Sequence, residues 1–341
     1  MPPQSCLNLL APRLPLELER KIFESAALAR PMSIPHLMLV AWRVKEWVGP
    51  LLYHVVFLCS PSPMRKSHSR TFGLPTFTED ALQQRPTTCF RRAKHLFIGF
   101  KVDPSAVESW LPACSGVTNL FAQISYPTKM LHALSVLCSV RHLTIDIRSL
   151  SRTDGPCPLF RSVTHLELFE LYDIGSEPED GADRLSDNLA LIPHLTHIAF
   201  NPKLPKMVSH AALAADTRLQ CIAFLVSAPY TLKKTSPLLE DDRFVCVQQN
   251  LDYRLDWLRG AVTGDDYWAL AEAFIAARLA GRVDRMCLHC LHSPACLILL
   301  ICEIQDRATT FPTDICRGRS ENGICTPIPY TVYSLMYYIN Y

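Results

Sequence analysis

One short pattern constrains this chain more than any other: an apolar residue, two others, an apolar residue, one other, an apolar residue. It recurs as Ala93-Leu96-Ile98, Val117-Leu120-Ala122, Val140-Leu143-Ile145, Val163-Leu166-Leu168, Leu195-Ile198-Phe200 and Leu219-Ile222-Phe224. The central positions 96, 120, 143, 166, 198 and 222 are 24, 23, 23, 32 and 24 residues apart. Helix-like stretches at 105–114, 129–138 and 184–191 lie between them. A unit of one strand, one turn and one helix cannot bury its apolar face alone, so such units must stack. The pattern predicts an α/β array over 93–284: about six parallel strands in one sheet, with helices on one side.

These matches resemble a degenerate leucine-rich repeat. The slot that holds asparagine or cysteine in that family is here Lys101, Ser125, Arg148, Leu171, Lys203 and Ser227. The polar ladder is missing, so the turns must satisfy their backbone groups by other means. An ordinary doubly wound α/β domain with coincident spacing is the competing reading. The long fourth interval carries Asp173, Glu177, Glu179, Asp180, Asp183 and Asp187 against Arg184, a run that reads as a solvated loop, with capture of a basic segment as the functional alternative.

The residue before each central position is His95, Asn119, His142, His165, His197 or Cys221. Side chains alternate along a strand, so this column should leave the core side and stand on an open sheet face. The expected substrate-facing positions are therefore His95, Phe97, Asn119, Phe121, His142, Thr144, His165, Glu167, His197 and Ala199. Three roles compete for the histidines: a metal site, a pH-dependent face, or a tolerated amphipathic repeat position. A metal needs converging rings and usually a carboxylate or thiolate, and a straight ladder provides neither, so no metal or other cofactor is expected.

Ahead of the repeat, Leu16, Leu18, Ile22, Phe23 and Ala26 follow Pro15 at helical spacing, predicting a helix over 16–29. Ser33 can cap a second helix over 36–48 that puts Leu37, Val40, Ala41, Val44, Trp47, Val48 and Leu51 on one face, with Gly49-Pro50 as its stop. The Leu14-Pro15-Leu16-Glu17-Leu18 start, Ile22, and the Leu37, Val40, Trp42 run followed by Leu51-Leu52-Tyr53 resemble an F-box of the form common in fungal proteins. The resemblance covers 13–58 and departs from the family between Ala26 and Ile34. It implies a three-helix unit docking on a Skp-type adaptor held by a cullin scaffold, with Leu14, Pro15, Leu18, Ile22, Leu37 and Val40 among the adaptor contacts. An ordinary helical hairpin packed on its own domain is the alternative.

Residues 59–92 read as a linker: 58–94 holds seven Lys or Arg against Glu79 and Asp80, with prolines and serines at its start. A net charge of +2 gives no push toward nucleic acid or an anionic membrane. The longest strongly apolar run, 295–301, is far shorter than the roughly 20 residues a membrane helix needs. The first 11 residues lack the basic and apolar regions of a secretory signal, and scattered cysteines fit reduced thiols, so a cytoplasmic or nuclear address is expected. There is no phosphate loop, no HExxH and no GxSxG elbow, so no catalysis is expected. Asp265, Asp266 and the apolar run 267–280, stopped by Gly281, should form a helix closing the end of the array. The last 56 residues hold six cysteines without helical or strand period and are expected to lie outside the compact domain; Cys287, His289, Cys290 and His292 there form only a zinc half-site. Together the features predict a non-catalytic substrate-recognition subunit of an SCF-type ubiquitin ligase, binding an unknown protein. The alternatives are a protein-binding repeat scaffold that recruits no ligase, and an enzyme using the C-terminal cysteines and histidines.

Overall fold

A computed structural model describes the chain between residues 14 and 284, apart from 31–32, 59–75, 100–101, 124–126, 152–154, 171–184, 203, 207, 227–231, 249–255, 259, 262–263 and 265. Nine strands form one wholly parallel sheet: β1 (Val55–Leu58), β2 (Thr76–Phe77), β3 (His95–Ile98), β4 (Asn119–Ala122), β5 (His142–Asp146), β6 (His165–Phe169), β7 (His197–Phe200), β8 (Cys221–Val226) and β9 (Phe244–Gln248). Their order is β2-β1-β3-β4-β5-β6-β7-β8-β9, so from β3 onward each repeat lays its strand beside the last. The six predicted strands are present, and β1, β2 and β9 extend them.

The register aligns Leu96, Leu120, Leu143, Leu166, Ile198 and Ile222. All six are buried, in one continuous core with the apolar sides of the intervening helices and 3-10 turns. The connecting helices are short, for example Pro104–Glu108 followed by a 3-10 turn at Leu111–Cys114, then Pro127–Leu134 and Leu185–Ala190. A leucine-rich-repeat-like array with helices behind a parallel sheet is thus the architecture.

Other donors replace the absent asparagine ladder. Arg243 reaches back one repeat to the carbonyls of Ala214, Asp216 and Leu219 at 2.7, 2.7 and 3.0 Å, held in place by a two-point pairing with Asp241. Arg218, clamped by Asp216, does the same for the carbonyls of Ile192 and Leu189. The hydroxyls of Thr118, Thr164 and Thr196 lie 3.4, 3.3 and 3.2 Å from the carbonyls of Lys94, Arg141 and Thr164, one strand back in each case. Of the six slot residues, Lys101, Ser125, Leu171, Lys203 and Ser227 lie outside the described residues.

Several sequence expectations need correction. The linker over 59–92 is structured in its second half: β2 joins the sheet, and Phe77, Leu82 and Phe90 are buried in the main core. Residues 59–75, the acidic run up to Arg184, and 286–341, including the Cys287–His292 half-site, lie outside the described residues. Val55–Leu58, placed within the N-terminal helical motif, is a sheet strand pairing with β3. The predicted helix over 36–48 breaks in two, Ile34–Leu37 and Trp42–Val48, because Ala41 is extended (φ −161°, ψ 154°).

Last, the helix expected to cap the end of the array lies instead across the sheet. It runs from Tyr267 to Leu279, starts where the Asp266 side chain accepts from the Ala269 N–H, and ends as Gly281 takes φ 70°. Its Ala271, Phe274 and Ile275 pack with Ala199, Ala223 and Val245, on the face opposite the repeat helices. Two alanines on the strands let a helix approach closely. Trp257, Leu258 and Ala261 cover the other half of that face, over Phe57, Phe97 and Phe121. A parallel sheet coated on both faces hides its apolar rows from water.

Candidate functional site

Two places concentrate unusual chemistry: the N-terminal helical unit and the histidine column beneath the closing helix. In the first, Ala27, Ile34, Val44 and Val48 form a small core with Leu37, Phe23 and Trp47 packed against it. Arg43 pairs with Glu19 at 2.7 Å and ties Trp42–Val48 to Leu16–Ala29. The rest of the apolar content faces outward. Among the described residues ten large hydrophobics are exposed, and Leu14, Leu16, Leu18, Ile22, Leu28, Leu39, Val40 and Trp42 supply eight of them. Leu18 and Ile22 are four apart and share one side of their helix. Of the six expected adaptor contacts, Leu14, Pro15, Leu18, Ile22 and Val40 are exposed, while Leu37 is half-buried against the unit's own core.

In the second place the predicted column is in register: His95, Asn119, His142, His165, His197 and Cys221 are neighbours from strand to strand. The rings of His142 and His165 are 4.2 Å apart, and those of His165 and His197 stack at 4.1 Å. The open face, however, is not open. Phe97, Phe121, Thr144, Glu167, His197 and Ala199 are buried, and only His95, Asn119, His142 and His165 keep partial exposure. Phe97 lies between Phe57 and Phe121, with ring centroids at 4.0 and 4.6 Å, and meets Trp257 edge-on. Asn119 accepts from Trp257 Nε1 at 2.9 Å. Residues expected to meet a substrate are therefore packed against this chain's own C-terminal segment, which the strand pattern could not announce.

Burial sets the electrostatics of this layer. It lowers the pKa of His95 to about 3, helped by His54 and His142. His142 and His197 fall to about 4, again from burial first and from His165 second. Glu167 goes the other way, up to about 7, because loss of water outweighs the bonds it accepts from Tyr267 and Thr144. The protonated carboxyl and the neutral rings are what a dry interface tolerates.

At one point the column meets a carboxylate. Glu272 Oε1, on the closing helix, is 3.4 Å from His197 Nε2 and 3.6 Å from His165 Nε2. The three ligand atoms lie within 4.8 Å of one another. On the far side of each ring, Nδ1 sits 2.9 Å from Thr164 Oγ1 and 2.8 Å from Thr196 Oγ1. Trp268 stands edge-on to both rings, at 5.2 and 6.0 Å, and forms a wall.

Comparison with known proteins gives little more. No family model matches the chain, and no curated protein does. Among solved structures it is similar to the crystal structure of the leucine-rich-repeat-containing protein LegL7 from Legionella pneumophila, with 13% identity over 62% of this chain and 71% of that one and a TM-score of 0.29. A likeness that slight carries no argument, and the repeat architecture rests on the register and core described above. No helix among the described residues is long and apolar enough to cross a membrane.

The sequence reading missed Glu272, Thr164 and Thr196. A signal existed for all three. Val163-Thr164-His165-Leu166 and Leu195-Thr196-His197-Ile198 repeat a Thr-His pair at equivalent positions, and Glu272 is the sole acid within 267–279.

Proposed function

We propose that this chain is the substrate-recognition subunit of an SCF-type ubiquitin ligase, docking through its N-terminal helical unit on a Skp-type adaptor carried by a cullin scaffold. The carrying observation is the outward apolar surface of that unit. A soluble domain rarely keeps so many large apolar side chains in water at one end unless a partner covers them. Leu14, Pro15, Leu18, Ile22 and Val40, assigned to the adaptor by the F-box resemblance, are among the exposed residues. The reading carries no bond chemistry in this chain and no cofactor for the ligase role. Rate enhancement comes from raising the local concentration of a protein substrate near an enzyme on the scaffold. It places the chain in the cytoplasm or nucleus, with protein partners and neither nucleic acid nor membrane.

The substrate does not reach the ten predicted face positions as a set, since six of them are buried. The accessible part of that face is the row His95, Asn119, His142 and His165 along the strand starts. A repeat scaffold that recruits no ligase is the second reading. The irregular Ala26 to Ile34 connection favours it, because Ala27 and Ile34 fill the unit's own core there.

Affinity purification of the full chain, scored for ubiquitin ligase subunits, separates the two. The ligase reading predicts that a Skp-type adaptor and a cullin co-purify, and that both are lost from a Leu14→Ala, Pro15→Ala variant. Recovery of other partners with neither subunit would establish the scaffold reading instead.

A further inference from the structure

We propose that His165, His197 and Glu272 form a divalent transition-metal site, of the zinc class, that clasps the closing helix to the sheet. The inference is independent of the ligase reading. It starts from a distance that fits an ion better than a proton. Hydrogen bonds between nitrogen and oxygen cluster near about 2.9 Å, with about 3.2 Å as the usual outer limit. The His197 Nε2 and His165 Nε2 separations from Glu272 Oε1, 3.4 and 3.6 Å, are both longer. Tetrahedral ligands held about 2.0–2.1 Å from zinc are spaced at about 3.3 Å, close to what the two pairs already show.

The outer partners are those a metal requires. A metal-bound imidazole gives its other N–H to an oxygen, which fixes the ring and leaves a lone pair for the ion. Here Thr164 Oγ1 and Thr196 Oγ1 sit at the two Nδ1 atoms and also lie within reach of the carbonyls of Arg141 and Thr164. A hydroxyl has one proton. Given to the carbonyl, it leaves the oxygen to accept from Nδ1–H, so both Nε2 lone pairs face Glu272. Two imidazoles and a carboxylate suit zinc, and softer copper sites would call for sulfur. The side chains of His165 and His197 are 15% and 10% exposed while Glu272 is 45% exposed, so an ion has a path from solvent and a water can complete the fourth position.

The consequence is mechanical. The two histidines belong to adjacent strands β6 and β7, and Glu272 belongs to the helix that hides the sheet face. Metal binding would hold that cover shut.

The test uses the full chain, dialysed against zinc and desalted, with metal counted per chain. The cysteine-rich tail is a rival binder, so the same count is made in a Cys287→Ser, Cys290→Ser background. One zinc per chain in both proteins, absent from Glu272→Gln, is the expected result. Thr196→Val should weaken binding by about 10- to 100-fold, as loss of an outer partner does. Cobalt in place of zinc should give visible ligand-field bands without a thiolate charge-transfer band. Chelator should lower the Tm of the wild type and leave that of Glu272→Gln, which alters only a half-exposed side chain, unchanged. Less than about 0.1 zinc per chain, full zinc binding by Glu272→Gln, or a cobalt–thiolate band at this stoichiometry would overturn the proposal.

Discussion

Tyr267 donates its phenolic hydrogen to Glu167 Oε2 at 3.0 Å, and Thr144 donates to the same oxygen at 3.0 Å from the neighbouring strand. This contact fixes the closing helix to the centre of the sheet through a fully buried carboxyl. Removing the phenol leaves that oxygen one donor short inside the protein. Tyr267→Phe is expected to cost about 1–3 kcal/mol, measured by urea unfolding.

The same carboxyl gives stability a pH dependence of definite sign. Glu167 titrates near 7 in the folded protein, above its usual 4.5, because of burial. Between those values the native state holds a proton that the unfolded state has released, so this group lowers stability as pH rises. Gln at 167 keeps the shape and does not titrate. The stability difference between Glu167→Gln and wild type should move in the variant's favour from about pH 4.5 to 7 and then level off, by no more than ~3 kcal/mol. A difference constant with pH would count against the account.

Histidines act oppositely over the same range. His95, His142 and His197 titrate at about 3, 4 and 4 when folded, below the ordinary 6.5, mainly through burial. Their cost is nil above 6.5 and grows as pH falls, since the unfolded chain takes up protons that the native one refuses. Three groups against one carboxyl should win. Urea melts in chelator are expected to show stability dropping from pH 7 to 5, and His142→Asn should reduce the drop.

Phe97 separates a recognition face from a core. On an open face Phe97→Ala would leave stability nearly unchanged. Stacked between Phe57 and Phe121 under Trp257, it should instead cost about 3–5 kcal/mol by urea unfolding.

Arg243 tests the substitute for the asparagine ladder. Arg243→Ala strips the donors from three carbonyls of the preceding repeat and should cost about 2–3 kcal/mol. Lys in its place lacks the planar fork and should recover only part of that, as thermal unfolding would show.

The repeat strands were legible because a period of about two dozen residues leaves its mark wherever one side chain in two must be buried. That same alternation places His142 and Glu167 on the far side of the sheet, and it does so correctly. What strand periodicity cannot carry is who covers that side. Burial of Phe97 and Ala199 depends on segments 55 to 160 residues away along the chain, and an outward Phe reads alike under a helix or under water. Glu272 was invisible as a partner of His197 for the same reason. In the N-terminal unit the 16–29 helix was readable from its spacing, while the break at Ala41 reflects the unit closing around Ala27, Ile34 and Val44.

The central claim is that the N-terminal apolar surface binds a Skp-type adaptor, and calorimetric titration of the full chain with that purified adaptor tests it most directly. The account predicts a one-to-one complex that Ile22→Asp, a change at an exposed position, abolishes without lowering the Tm. Absence of binding by the wild type, or equal binding by Ile22→Asp, would contradict it.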